Sequence, residues 1–74
     1  MNDLDKVRVR NRIRELRFAH GEITQQQLAT AVGCSRQTIV LLEQGRYSPS
    51  LTLAFLIARH FDATVDSVFE FVEK

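Results

Sequence analysis

The close spacing of helix start and stop signals leaves this chain few ways to fold. Thr24 is followed three residues later by Gln27, the spacing at which a cap hydroxyl and a side-chain amide satisfy each other's backbone N–H groups. Ile23, just before the cap, and Leu28, four positions into the helix, form a hydrophobic staple. Leu28, Ala29 and Val32 make a short inward face, and Gly33 provides the left-handed exit that a side chain would make costly. Ser35 then caps a second helix, Arg36 to about Gln44, with Ile39 and Leu42 three apart on its buried side and Gly45 closing it. Neither segment is long enough to form a stable helix alone, so each must pack on the other and on what flanks them.

Two short helices joined by the tight Gly33-Cys34 link are a helix-turn-helix arrangement. Upstream, KVRVR at residues 6–10 alternates Val7 and Val9 against Lys6, Arg8 and Arg10, the pattern of a half-covered strand. Asn11 can cap a helix running to Ala19 or His20, with Ile13, Leu16 and Ala19 inward, Arg12 and Arg14 outward, and Gly21 at its end. Downstream, Arg46-Tyr47-Ser48-Pro49 reads as a turn, because proline disfavours helix in the residue before it. Ser50 caps a helix over Leu51 to His60 whose near-continuous apolar run predicts the most buried helix of the domain. Thr64 can cap a last short helix from Val65 to about Phe69. The terminal VFEFVEK also alternates, so helix and strand compete there.

At 74 residues the chain has room for one domain, spanning 1–74. With 45% hydrophobic and 26% charged residues it has a globular composition. A lone cysteine excludes an internal disulfide, and with two scattered histidines it cannot supply a four-ligand zinc site. No metal and no cofactor are therefore expected. No apolar stretch approaches the roughly 20 residues of a membrane span, and no apolar segment follows the charged N-terminus, so a cytoplasmic location without membrane association is expected. Catalysis finds no footing: His20 and His60 lie at helix ends without a paired carboxylate at recognisable spacing, Ser35 has no identifiable histidine partner, and no glycine-rich phosphate loop occurs. The net charge of +1 hides an asymmetry. Residues 1–60 hold nine basic against five acidic side chains, while residues 61–74 hold four acidic groups and Lys74. A phosphate-facing body with an acidic end turned elsewhere would have this pattern, as would an ordinary mixed surface.

The stretch QQQLATAVGCSRQTIVLLEQG, residues 25–45, resembles the Cro/CI-type helix-turn-helix family of prokaryotic and phage repressors, also called the XRE family. Gln25 opens the second helix, Ala29 stands where the helices cross, Gly33 lies in the turn, and Ile39 is the branched apolar residue inside the third helix. NRIRELR before the motif and GRYSPSLTLAFLIARHF after it extend the resemblance over nearly the whole chain. It implies an all-α, lambda-repressor-like fold of five helices, with the motif at 25–44 and possible pairing of short N- and C-terminal strands. It also implies sequence-specific binding of double-stranded DNA, with the third helix in the major groove. Carried onto this chain, Arg36, Gln37 and Val40 are the base readers: Arg36 suits guanine, Gln37 adenine and Val40 a thymine methyl group. Gln25, Ser35, Thr38, Gln44, Arg46 and Tyr47 fall to phosphate contact or to buttressing the readers. The resemblance further implies a largely buried ion pair between Arg17 and Glu43. Cys34 reads as a small hydrophobe in the turn.

The expected activity is that of a prokaryotic transcriptional repressor acting as a homodimer on a palindromic operator. Residues 65–74 are the expected dimerisation segment, because Val65, Val68, Phe69, Phe71 and Val72 are more apolar area than so small a body can cover. The opening strand is expected to pair with Glu70 to Glu73, within one chain in preference to between chains and with the last helix packing between chains, and Lys6 or Arg8 would then face Glu70 or Glu73. An antitoxin-like module binding a small protein partner as well as DNA is the alternative.

Overall fold

The computed structural model describes residues 7–73. Its elements run β1 (Val7–Asn11), α1 (Ile13–Ala19), α2 (Gln25–Val32), α3 (Arg36–Glu43), α4 (Leu51–His60), α5 (Val65–Val68) and β2 (Phe69–Glu73). It is an all-α, five-helix, lambda-repressor-like fold to which the two terminal strands add an antiparallel ribbon.

The helix boundaries follow local chemistry. Thr24 Oγ1 accepts the Gln27 N–H at 2.9 Å, and the Thr24 N–H donates back to Gln27 Oε1 at 2.7 Å. Ser35 and Ser50 cap α3 and α4 by accepting the Thr38 and Leu53 N–H groups, each at 3.1 Å. At the far end of α3, Gly45 adopts φ +71°. There the Arg46 N–H donates to the Leu41 carbonyl and the Gly45 N–H to the Leu42 carbonyl, the paired bonds that satisfy a helix's last carbonyls. The end of α4 has the same bond pattern without a glycine. Asp62 takes φ +53° while Ala63 N–H reaches the Ala58 carbonyl and Asp62 N–H the Arg59 carbonyl.

The core draws on every helix: Ile13, Leu28, Ala29, Val32, Ile39, Leu42, Leu53, Ile57, Ala58 and Val68, with Phe61 just beyond α4. Two expectations are corrected here. Ala19, expected inward, is exposed, because α1 is only seven residues long and its inward face is spent on Ile13, Leu16 and Arg17, the last buried as expected. α4 is the most buried helix, as expected, with Leu53, Ala54, Ile57 and Ala58 inside, although Leu51 and Phe55, one turn apart, stay 70% and 57% exposed. Asn11 ends β1 rather than standing at the α1 cap position, yet its Oδ1 still accepts the Ile13 N–H at 3.1 Å. The Asn11 Nδ2 also donates to the Leu42 carbonyl at 2.7 Å, so this one side chain ties β1, α1 and the end of α3 together.

The terminal competition between helix and strand ends at Phe69, where the chain turns extended (φ −115°, ψ 141°) after one turn of α5. β1 supplies the partner that makes extension favourable. The register pairs Val7 with Glu73, Arg8 with Val72, Val9 with Phe71, Arg10 with Glu70 and Asn11 with Phe69. Arg10, not Arg8, therefore faces an acid: its guanidinium pairs with Glu70, which Arg12 also approaches at 3.7 Å. Lys6 lies outside the described residues. Since strand side chains alternate, Val9, Phe69 and Phe71 share one face and Arg8, Arg10, Glu70 and Val72 the other.

Candidate nucleic-acid interface

The surface that α3 offers to a ligand is set by which of its residues the core takes. Ile39 and Leu42 are 0% and 1% exposed, inside the core where α3 packs on α2. At about 100° per residue, Arg36, Val40, Gln44 and Gln37 fall within one arc of about 100° on the opposite side. Arg36, Gln37 and Gln44 are exposed, while Val40 is half-buried beside them. Among the described residues the side chains of Arg36 and Gln37 make no internal hydrogen bond, which leaves their donors free at the first turn of the helix. Ser35 and Thr38 are engaged with each other, the hydroxyls 3.0 Å apart, as well as with the helix start.

What holds this face still is a polar network under it. Arg17 Nε donates to Glu43 Oε2 at 2.7 Å and Arg17 Nη2 to Glu43 Oε1 at 3.1 Å, a two-pronged pair between α1 and the last turn of α3. Both side chains are about nine-tenths buried, at 9% and 10% exposure. The third arm, Nη1, donates to the Ile23 carbonyl at 2.9 Å, and Gln25 Nε2 donates to Glu43 Oε1 at 3.2 Å. So the two charges are not only paired but also hydrogen-bonded to backbone and amide, the condition under which burying them is tolerable. Gln25 is accordingly occupied as a brace between α2 and α3.

The network floors an open groove of about 590 Å³. Val40 and Gln44 of α3 form one wall, Arg14 and Phe18 of α1 the other, and Thr24 and Gln25 close the end at the start of α2. Arg14 and Phe18 were not singled out from the sequence, where an outward arginine and a phenylalanine near a helix end carry no distinguishing signal. Arg46 and Tyr47, in the turn after α3, are both exposed, and Tyr47 lines a separate hollow against β1 with Arg8, Asn11 and Phe69. Cys34 packs half-buried against the core, and desolvation raises its thiol pKa above the ordinary value. That keeps it protonated at neutral pH, as expected of an inert hydrophobe. Among the expected dimerisation residues Val68 is wholly inside the chain's own core, Val65 and Phe69 pack partly against it, Val72 is half-buried and Phe71 is 76% exposed. Val68 therefore has no area to give a partner.

A second short helix packed on a first, with Ala29 buried in the core between the elements and the outer face of the second helix open, defines a helix-turn-helix DNA-binding domain. The chain belongs to the helix-turn-helix family of XRE/Cro-CI-like transcriptional regulators, whose family profile matches residues 13–68. It is 52% identical over 63 residues to an uncharacterised HTH-type transcriptional regulator of Archaeoglobus fulgidus, covering 85% of this chain and 89% of that one. A second such regulator from the same organism is 50% identical over 66 residues, covering 89% and 92%. Among solved structures, the restriction-modification controller protein C.AhdI from Aeromonas hydrophila superposes with a TM-score of 0.67 at 31% identity, covering 74% of this chain and 78% of that one. The protein is a DNA-binding transcriptional regulator. Among the described residues no helix is long and apolar enough to cross a membrane.

Proposed function

We propose that the protein is a sequence-specific repressor that binds a palindromic operator as a homodimer. In this reading α3 enters the major groove, and Arg36, Gln37 and Val40 read base edges. Ser35, Thr38, Gln44, Arg46 and Tyr47 meet or support the flanking phosphates, and Gln25 acts through Glu43. The observation that carries the reading is the free first turn of α3, with Arg36 and Gln37 unengaged above a fully satisfied network. A reading surface needs such rigidity, since each bidentate base contact discriminates by only about 1–3 kcal/mol and a loose helix would forfeit it. Selecting bound sequences from random duplex DNA tests the proposal: a two-fold symmetric consensus is expected, and recovery of unenriched DNA would sink it. On the selected site, Arg36→Ala should relax discrimination at one base pair by about 1–3 kcal/mol, whereas Arg46→Ala should weaken selected and random duplexes alike.

One observation favours the second reading, a module that also binds a small protein partner. Leu51 and Phe55 expose an apolar stripe on α4, on a helix outside the reading motif. Phe55→Ser should leave dimer mass and DNA affinity unchanged if that stripe serves a different protein. A loss of dimer would instead assign it to self-association.

A further inference from the structure

We infer that the DNA-contacting surface extends beyond the helix-turn-helix unit to α1, where Arg14, seated over Phe18, binds the phosphodiester backbone running alongside the bases that α3 reads. The inference rests on α3 being the reading helix, and three features of the groove carry it. Its α3 wall contains Val40 and Gln44, two members of the outward arc of that helix, so a duplex lying on α3 passes the opposite wall formed by Arg14 and Phe18. On the floor Arg17 is matched by Glu43, while Arg14 has no carboxylate within 4 Å among the described residues, the groove's other acid, Glu22, included. Its neighbours Arg10 and Arg12 both lie beside Glu70, and Arg17 beside Glu43. Last, the Arg14 guanidinium carbon lies 5.7 Å from the centre of the Phe18 ring, which is 50% exposed and is also approached at 5.5 Å by the buried Arg17 guanidinium. An aromatic face at that distance holds a guanidinium by its quadrupole and leaves the N–H fork pointing outward. A half-exposed phenylalanine is otherwise a liability on a free surface. Here it orients a cation and offers the deoxyribose an apolar contact.

Such a contact neutralises a phosphate and carries no base information, so it has a distinct signature. The probes are the duplex selected in vitro and a scrambled duplex of equal length, each titrated from roughly 50 to 200 mM salt, where phosphate contacts dominate the slope. Arg14→Ala should weaken both duplexes by the same factor and reduce the slope of log affinity on log salt by about 0.9 per bound protomer. Arg14→Lys should keep the slope, and Phe18→Leu should weaken both duplexes without changing it. Arg59→Ala, which removes an equal charge from the outer side of α4, should leave the slope intact. An unchanged slope in Arg14→Ala while Arg36→Ala still weakens the selected duplex overturns the inference and spares the reading helix. A slope lowered equally by Arg59→Ala also overturns it, because net charge would then be the cause. If Arg36→Ala and Arg14→Ala are both silent, the whole face is wrong.

Discussion

Arg17 carries three separate bonds, to both oxygens of Glu43 and to the Ile23 carbonyl, from a side chain 9% exposed. Replacing Arg17 by alanine leaves Glu43 buried with only Gln25 as a donor, and replacing Glu43 leaves a buried guanidinium. Either change should cost about 3–5 kcal/mol of unfolding free energy, while Arg12→Ala, on an exposed residue, should cost far less. Arg17→Met/Glu43→Leu should be no worse than either single change, yet it should not regain full stability, because the Ile23 carbonyl and Gln25 amide lose partners. Strict additivity in thermal or urea unfolding would count against direct coupling. Asp62 offers a backbone counterpart. At φ +53° it does what Gly33 does for α2, so Asp62→Val should destabilise by about 1–2 kcal/mol whereas Asp62→Gly should be tolerated. A valine variant melting with the wild type would show that the turn relaxes.

At the scale of elements, α4 shows what an apolar run in a sequence does and does not say. Its near-continuous apolar run predicts the most buried helix of the domain, which it is, but the core has room for one face only, taking Ile57 to 0% exposure while Phe55 stays outside. Ile57→Ala should therefore cost about 2–5 kcal/mol, and Phe55→Ser less than about 1 kcal/mol, in equilibrium unfolding. Equal losses would mean the exposed stripe is covered by another molecule. The elements that the sequence made legible are those bounded by local chemistry: the Thr24–Gln27 cap, the Ser35 and Ser50 caps, and the glycines after α2 and α3 all act within a few residues. Illegible were features whose partners lie far along the chain. Asn11 reaching Leu42, Gln25 reaching Glu43 and Arg14 facing Val40 across a groove are products of packing, and no local period encodes them. The strand at Phe69 is intermediate: its alternation was visible, but only a partner strand could decide it against the helix.

For the whole molecule, the unsettled area is the apolar face of the terminal ribbon. Val9 and Phe71 sit opposite each other at 39% and 76% exposure, and together with Val65 and Phe69 they border a shallow depression of about 520 Å³. An aromatic ring projecting beside a hollow of its own kind suits an isologous contact, in which each copy's Phe71 enters the other's depression. Deleting the C-terminus cannot test this, because removing Val68 would take a fully buried residue out of the core. Phe71→Glu changes only an exposed side chain and should leave the fold intact. We expect full-length protein to sediment as a dimer at micromolar concentration and Phe71→Glu as a monomer with an unchanged helical circular dichroism spectrum. Because joined half-sites bind with an effective concentration that a lone domain lacks, the monomeric variant should also lose affinity for a two-fold symmetric site by about 10²-fold or more, while binding a half-site as before. A wild-type monomer would remove the homodimer from the proposed mechanism. An undiminished Phe71→Glu dimer would move the interface to another surface, with the Leu51 and Phe55 stripe of α4 the next to substitute.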